Sequence, residues 1–171
     1  ANLNMAYQNK LVHIQSLEDE GNQHERLRVE MAGLDLAGLS RMVPFMPQLN
    51  GVLNTALLLY SQPQEMGVDG NVRIVELGYE QQRIGTLDLG LKYVAGNRFS
   101  DHAVRFELKI DSVRRALAEG TFSTSEADRS VEMDVDIPSF PLYIVNAFVP
   151  AGVMRLGGGL TGNVRFRGTI D

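Results

Sequence analysis

The sequence is dominated by segments in which apolar and polar residues alternate with a period of two. Successive side chains of a β-strand point to opposite faces, so this alternation predicts strands with one apolar and one polar face. The pattern is clearest in residues 87–93, 104–110 and 131–137. Weaker versions occupy residues 3–7, 12–14, 27–31, 72–74, 116–122 and 164–166. The chain is therefore predicted to be mainly β.

Turn-forming residues separate these segments. They are Gly21-Asn22, Gly67 with Asp69-Gly70, Gly96-Asn97 and the polar stretch Ser123–Arg129. Glycine, asparagine and aspartate accept the backbone angles of tight turns, so consecutive strands are expected to run antiparallel as a meander. One apolar face per strand is typical of a sheet that is covered on one side only.

Two segments break the alternation and have apolar residues at helical spacing, each ending at a proline. In the first, the apolar residues are Leu36, Leu39, Met42 and Val43, before Pro44 and Pro47. In the second, they are Leu142, Val145, Phe148 and Val149, before Pro150. We predict one short amphipathic helix in each segment.

The two helical segments belong to longer units that resemble each other, at about residues 27–60 and 131–170. A single shift of 106 positions (150 minus 44) aligns Pro44 with Pro150 and also aligns the apolar residues before each proline. After a one-residue slip, Leu49 and Gly51 fall opposite Leu156 and Gly158. Repeated units in a β-rich chain favour an elongated architecture built by stacking over a closed globule.

Composition narrows the classes of function. The 171 residues include 21 acidic and 16 basic side chains, a formal net charge of −5 without a basic cluster, so no nucleic acid partner is expected. Cysteine is absent, which excludes disulfides and thiolate metal sites. The most apolar stretch, residues 140–154, is shorter than the ~20 residues of a membrane-spanning helix. We expect both ends to be cut from a larger, repetitive protein.

No catalytic or metal-binding pattern emerges, so we expect no enzyme activity, cofactor or metal. The histidines His13, His24 and His102 are dispersed and are interpreted as solvated surface residues. The cluster at residues 18–20 lacks the ligand spacing of a calcium loop. Asp134 and Asp136 share one strand face, which is better explained as a wet outer face than as a glycosidase pair. The glycine run at 157–162 lacks the lysine of a phosphate-binding loop.

The apolar strand faces are more extensive than two short helices can cover. Such a sheet must close on itself, pair with a second sheet, or remain an open trough for an apolar ligand. The candidate binding residues are the apolar positions of the three clearest strands. They are Leu87, Leu89, Leu91, Val104, Phe106, Leu108, Ile110, Val131, Met133, Val135 and Ile137.

The second unit also resembles a known family. Residues 131–137, the segment from Phe140 to Pro150, and the run from Leu156 to Gly168 are similar to the C-terminal region of the TamB family of translocation and assembly module subunits, within the AsmA-like, bridge-like lipid transport superfamily. The shared theme is an amphipathic segment ending in proline, a leucine, a glycine-rich turn and a strand. The earlier copy, residues 34–59, is similar more loosely and lacks the triple glycine.

The resemblance implies an elongated antiparallel sheet curled into a half-open trough, the β-taco, with two short amphipathic helices. It further implies a periplasmic segment of a protein anchored in the inner membrane of Gram-negative bacteria, which meets an Omp85-type (TamA- or BamA-like) outer-membrane barrel. The expected function is phospholipid transport between the two membranes, outer-membrane protein assembly, or both. The alternatives are a β-augmentation scaffold or chaperone for outer-membrane clients, and a closed β-sandwich binding module.

Overall fold

The computed structural model describes residues 2–7, 10–18, 25–43, 47–79, 82–96, 100–125, 127, 129–149 and 154–169. Strands dominate these residues. They are β1 (Asn2–Tyr7), β2 (Lys10–Glu18), β3 (Glu25–Asp35), β4 (Leu49–Gln62), β5 (Glu65–Tyr79), β6 (Gln82–Gly96), β7 (Asp101–Ile110), β8 (Val113–Ser123), β9 (Ser130–Pro141) and β10 (Gly159–Thr169). Helix α1 (Leu36–Met42) follows β3, and a 3₁₀ helix (Leu142–Phe148) follows β9.

The ten strands form one antiparallel sheet in which every strand pairs with its neighbours in the sequence. Within the described residues β1 pairs only with β2 and β10 pairs only with β9, so the sheet has two free edges. The sheet is curled and is not closed into a barrel. The prediction of a mainly β, half-open trough is confirmed. All described strands belong to this one sheet, so no second sheet packs against it within the described residues.

The central strands are long. β4 has 14 residues and β5 and β6 have 15 each, so each spans about 45–50 Å at ~3.3 Å per residue. β-Bulges interrupt their pairing near one end of the sheet, where Gly51 and Gly85 have φ angles of 129° and 120° and Glu76 has a φ of 53°. Each bulge adds an unpaired residue and so bends its strand.

The two connecting helices differ in type and in capping. Asp35 accepts hydrogen bonds from the backbone N–H groups of Ala37 and Gly38 at 3.2 and 3.1 Å, which satisfies free donors of α1. The equivalent position before the second segment is Pro141, whose side chain offers no acceptor. The second segment is a 3₁₀ helix, a form that is common in short connections, so only the first of the two predicted helices is α-helical.

The two strand–helix–strand units nevertheless share their bounds and a hydrogen bond. Adding 106 to the ends of α1 gives the ends of the 3₁₀ helix. In the first unit the Ser40 hydroxyl accepts from the backbone N–H of Leu49 at 3.1 Å. In the second, the Asn146 amide oxygen accepts from the N–H of Leu156 at 2.7 Å, and its NH₂ donates to the Leu156 carbonyl at 2.9 Å. One polar side chain thus anchors each returning strand.

The large buried apolar residues lie at the end of the sheet where both helices connect strands, here called the helical end, whereas the small residue Ala95 is buried at the other end. One hydrophobic cluster joins a residue from each helix to three strand residues: Leu36, Ile144, Leu77, Ile84 and Ile110. Partly buried neighbours, including Leu53, Ile74 and Phe140, pack around it. Since each helix is only seven residues long, they cover this end and leave the remaining length of the strands uncovered.

The predicted turn at Gly67 and Asp69-Gly70 is wrong, because these residues lie inside β5. The actual turn is formed by residues 63–64. Both glycines are buried under side chains of the neighbouring strand: a Cβ atom at Gly67 would overlap the Tyr60 ring, and one at Gly70 would overlap the Leu57 side chain. Here glycine makes room for a large neighbour. The predicted turn at 21–22 lies outside the described residues.

Candidate functional site

The strand register places apolar residues in rows that run across the sheet from one edge to the other. In the central row, every position on all ten strands is apolar or glycine. Its members are Leu3, Ile14, Val29, Leu57, Gly70, Leu91, Phe106, Ala118, Val135 and Val164. Adjacent strands lie ~4.8 Å apart, so this row is about 43 Å long. One face of the sheet is therefore continuously apolar.

Two further rows flank the central one on the same face. On the side away from the helical end, the row comprises Ser16, Leu27, Leu59, Val68, Tyr93, Val104, Gly120, Met133 and Phe166. On the other side, Val12, Met31, Thr55, Val72, Leu89, Leu108 and Ala116 align in the same way. We call the three rows together the apolar trough.

All eleven candidate residues from the sequence lie on this face, since they occupy the three rows or continue them along the same strands. Their exposure divides them into two groups. Ile110, at the helical end, is 2% exposed and belongs to the hydrophobic cluster. Leu91, in the central row, is 38% exposed, and the other nine are partly exposed. The candidate set thus combines the core residue Ile110, Leu87 packed against the core, and nine residues that line an accessible surface.

The total accessible surface shows that this face is uncovered. The chain exposes 11474 Å², whereas a compact globular protein of 18.9 kDa exposes roughly 8,300 Å². No large side chain among the described residues is more than 98% buried. A single curled sheet accounts for both values, because the described residues bury large apolar side chains only at the helical end.

The trough deepens at the end opposite the helices, here called the open end. A cavity of about 640 Å³ lies there between β2 and β5. Its apolar lining includes Leu27, Leu59, Met66 and Val68, which lie on the trough face. The volume lies within the range of ~300–1,000 Å³ that small-molecule pockets occupy.

Tyr60 lies at this end of the sheet on the face opposite the trough, because it alternates with Leu59 and pairs with Gly67. Its ring lies over Gly67, where any side chain would displace it. Burial raises the pKa of the Tyr60 hydroxyl, and the nearby carboxylate of Glu65 raises it further. Tyr60 therefore belongs with the carboxylates of the polar face and does not line the trough.

A second feature of the open end is an aromatic cluster that the sequence did not reveal. The His102 ring stacks on Phe122 with centroids 4.2 Å apart, and its Nδ1 lies 2.9 Å from the Tyr93 hydroxyl. Thr124 approaches the other ring nitrogen at 3.4 Å. His102 is therefore not the solvated surface residue expected from the sequence. It faces the trough because alternation continues to the start of β7.

The opposite face of the sheet carries cross-strand ion pairs. Arg165 Nε lies 2.5 Å from Asp134, Arg167 lies 2.6 Å from Glu132, and Arg114 lies 3.4 Å from Asp136. Asp134 and Asp136 thus point to this face and are paired with arginines. Exposed pairs of this kind contribute about 0–1 kcal/mol each to the stability of the fold, so their main effect is to make this face polar.

Metal and phosphate chemistry find no matching geometry in the described part of the chain. Histidine and carboxylate side chains do not gather there in groups of three or more that could hold a metal ion. In the glycine run, Gly158 has a φ of 84° and its carbonyl accepts from the N–H of Leu142 at 3.0 Å, while Gly159 opens β10. This run is a turn that returns the chain to the sheet. In the same described ranges, no helix is long and apolar enough to span a bilayer.

Fold and site together define a single-sheet β protein with one apolar face, capped at one end and accessible along the rest. Comparisons of the chain with family models, curated proteins and solved structures found no match.

Proposed function

We propose that this chain is a non-enzymatic lipid-binding segment whose apolar trough takes up the acyl chains of phospholipids. One observation carries the proposal: apolar residues line three adjacent rows across the sheet, and these rows stay accessible to solvent. A soluble protein rarely exposes a contiguous apolar surface of this size unless the surface binds something.

The energetics favour an extended, chain-like ligand. Each methylene group removed from water contributes about 0.8 kcal/mol, so burying about eight of them contributes roughly 6 kcal/mol before the cost of association. The trough offers a path of ~43 Å across the strands for such contacts. Binding of this kind needs no specific polar contact, and it would be tolerant of chain length and readily reversible, which suits transport.

The resemblance to the TamB family supplies the cellular setting of the proposal. We place the segment in the periplasm, within a longer protein anchored in the inner membrane and docked on an Omp85-type barrel. In that setting the trough would shield acyl chains during phospholipid transport between the inner and outer membranes.

The test is lipid binding by the purified chain. Detergent-free purification followed by native mass spectrometry should detect bound phospholipid, and a hydrophobic dye should compete with it. The double variant Leu89→Glu with Phe106→Glu should lose most of this binding, because two charges then stand in adjacent rows of the trough. The matched control, Asn71→Glu with Ala103→Glu, adds the same two charges to the opposite face and should keep it.

Circular dichroism must show the same strand content in both double variants. Equal binding by the two variants, or a purified chain free of lipid that fails to take up dye, would contradict the proposal.

A second candidate function, a scaffold for client β-strands, is favoured by one observation. All eleven residues of the edge strand β10 are exposed. An exposed edge can pair with an added strand through main-chain hydrogen bonds. Binding of a peptide from an outer-membrane barrel in the absence of lipid binding would favour this candidate.

A further inference from the structure

The apolar trough becomes more polar along its strands, from the helical end to the open end. At the helical end it runs into the hydrophobic cluster that includes Ile110. At the open end a fourth row follows the three rows described above, and polar residues enter it. Its members are Glu25, Ser61, Met66, Ala95, His102, Phe122, Val131 and Gly168. The trough is therefore amphipathic along its strands.

His102 presents a hydrogen-bond donor at the polar end. The Tyr93 hydroxyl lies 2.9 Å from His102 Nδ1, in position to donate to it. A neutral imidazole whose Nδ1 accepts carries its proton on Nε2, which is then a donor. Among the described residues, the acceptor on that side is the Thr124 hydroxyl at 3.4 Å, longer than the ~2.7–3.2 Å of a typical N–H···O bond. The Nε2 donor is thus only loosely engaged by Thr124.

Thr124 supplies a second donor of the same kind. It is exposed and lies just beyond the end of β8. Its hydroxyl is 3.4 Å from the Ser100 carbonyl, again longer than the ~2.5–3.0 Å of a typical O–H···O bond. Both donors can therefore turn to the oxygen of a ligand without breaking either of these contacts at good geometry.

The charges around these donors favour an anion. Exposed Arg129 immediately precedes β9 and so lies at the open end. Asp101 precedes His102 but lies on the polar face, where the Ser123 hydroxyl donates to its carboxylate at 3.1 Å. Glu25 shares the row of His102 but is four strands away, at about 19 Å. Neither of these two carboxylates stands beside the His102 ring.

The distance between the two ends of the trough matches an acyl chain. β7 advances six residues from Leu108, in the row nearest the helical end, to His102, which is about 20 Å at ~3.4 Å per residue. The hydrocarbon core of a bilayer is ~30 Å thick, so the chains of one leaflet extend about 15 Å. A phospholipid chain laid along the strands therefore fits between the hydrophobic cluster and His102.

We propose that His102 and Thr124 bind the phosphate of the phospholipid headgroup at the open end, with the acyl chains directed toward the helical end. This inference rests on the proposed function and adds the class of headgroup and the direction of the ligand. The Nε2 proton of His102 and the Thr124 hydroxyl donate to phosphate oxygens, exchanging long internal contacts for charge-assisted hydrogen bonds. Tyr93 is a positioning residue, because its hydroxyl fixes the tautomer of His102.

Two lipids that differ only in the headgroup test this site. Dioctanoylphosphatidylglycerol and dioctanoylglycerol carry the same acyl chains with and without a phosphate. In isothermal titration calorimetry, His102→Phe should weaken binding of the phospholipid about tenfold and leave binding of dioctanoylglycerol unchanged. Phenylalanine keeps an aromatic ring against Phe122, so the fold should persist. His102→Gln keeps an N–H donor and should retain more of the phospholipid affinity.

The matched control is His13→Phe, because His13 lies on the polar face opposite Glu30. It should leave the ratio of the two affinities as in the natural chain. An unchanged ratio in His102→Phe, an equal change in His13→Phe, or displacement of the phospholipid by excess inorganic phosphate would overturn this inference alone. A natural chain that binds neither lipid would overturn the proposed function as well.

The direction of the acyl chains is tested in protein that keeps His102. The chain has no tryptophan, so Leu108→Trp and Val131→Trp each place a single fluorophore near one end of the trough. Phosphatidylglycerol brominated at the ends of its acyl chains should quench the Leu108→Trp variant more strongly than the Val131→Trp variant. Equal quenching of the two variants, or the reverse order, would overturn the inference.

Discussion

Truncating two side chains on the same face of the sheet should have opposite consequences. Ile110 and Leu91 both lie on the apolar face, on adjacent strands, but they are 2% and 38% exposed. Ile110→Ala removes three buried carbon atoms from the cluster at the helical end and leaves a cavity. Substitutions of this kind cost about 2–5 kcal/mol, and a value near 3 kcal/mol is expected here.

Leu91→Ala leaves no enclosed cavity, because its position already opens to solvent. The expected loss in unfolding free energy is therefore about 1 kcal/mol or less. In this chain of 171 residues, about 2–4 °C of melting temperature corresponds to 1 kcal/mol. Ile110→Ala should thus melt about 6–12 °C lower than the natural chain, and Leu91→Ala at most ~4 °C lower.

Ligand binding should show the reverse order. Losing the Leu91 side chain from the central row removes roughly 1.4 kcal/mol of apolar contact, which is about tenfold in affinity for an acyl chain. Ile110→Ala should bind as the natural chain does. Urea unfolding followed by circular dichroism, together with dye binding, measures both quantities. If Leu91→Ala lost as much stability as Ile110→Ala, the trough would be a closed core and the reasoning would fail.

Three further predictions concern the framework of the trough. Asn146→Ala should lower the free energy of unfolding by about 1–3 kcal/mol and Ser40→Ala by about 1 kcal/mol. The reason is that the Asn146 side chain makes two hydrogen bonds to Leu156, whereas the Ser40 side chain makes one to Leu49. A larger loss for Ser40→Ala in urea unfolding would contradict this. The pKa of Tyr60 is raised in the folded state, so its contribution to stability is present below pH 10.0 and is lost as the pH rises through the folded pKa. Stability should therefore fall between pH 9 and 11, and this fall should be smaller in Tyr60→Phe when the free energy of unfolding is measured across that range. Gly120→Ala should destabilise the fold by about 1–3 kcal/mol, because its Cβ would lie 2.6 Å from the Glu132 carbonyl, whereas the control Gly96→Ala meets nothing within 4 Å and should melt unchanged.

The alternation of the sequence was sufficient to predict the strands because each has one apolar face. The clear segments 87–93, 104–110 and 131–137 lie within β6, β7 and β9. The full lengths of the strands were not predictable in this way. In β4, the run at residues 57–59 is apolar on both faces, so alternation disappears although the strand continues.

The hydrophobic cluster at the helical end also could not be predicted from the alternation of apolar and polar residues, for a different reason. Ile74 and Leu77 both pack into the cluster although they are three residues apart, which places them on opposite faces of a regular strand. A bulge at Glu76, with its φ of 53°, restores them to one face. Nothing in the local sequence marks that bulge. The 3₁₀ form of the second segment was also not predictable, because its apolar residues have the same spacing as those of α1.

The sequence was enough to predict that the candidate binding residues share one face of their strands, but not how they are arranged relative to each other across the sheet. Register alone decides that Leu91 and Phe106 stand side by side in one row, and register is set by turns such as the one at Asp111 and Ser112, where both φ angles are positive. The cavity at the open end depends on how the sheet curls between β2 and β5, and His102 joins the aromatic cluster through contacts from three strands. These are properties of the assembled sheet.

The spacing between the two helices bears on which insertions of strands this fold can accept. α1 follows β3 and the 3₁₀ helix follows β9, so six strands separate equivalent points. In a meander, inserting two strands leaves the following strands with the same direction and with their apolar residues on the same face. Insertions of two strands at a time would therefore widen the molecule without disturbing either capped unit. Inserting a single strand would reverse the direction of all the strands that follow it, and selection should eliminate such insertions.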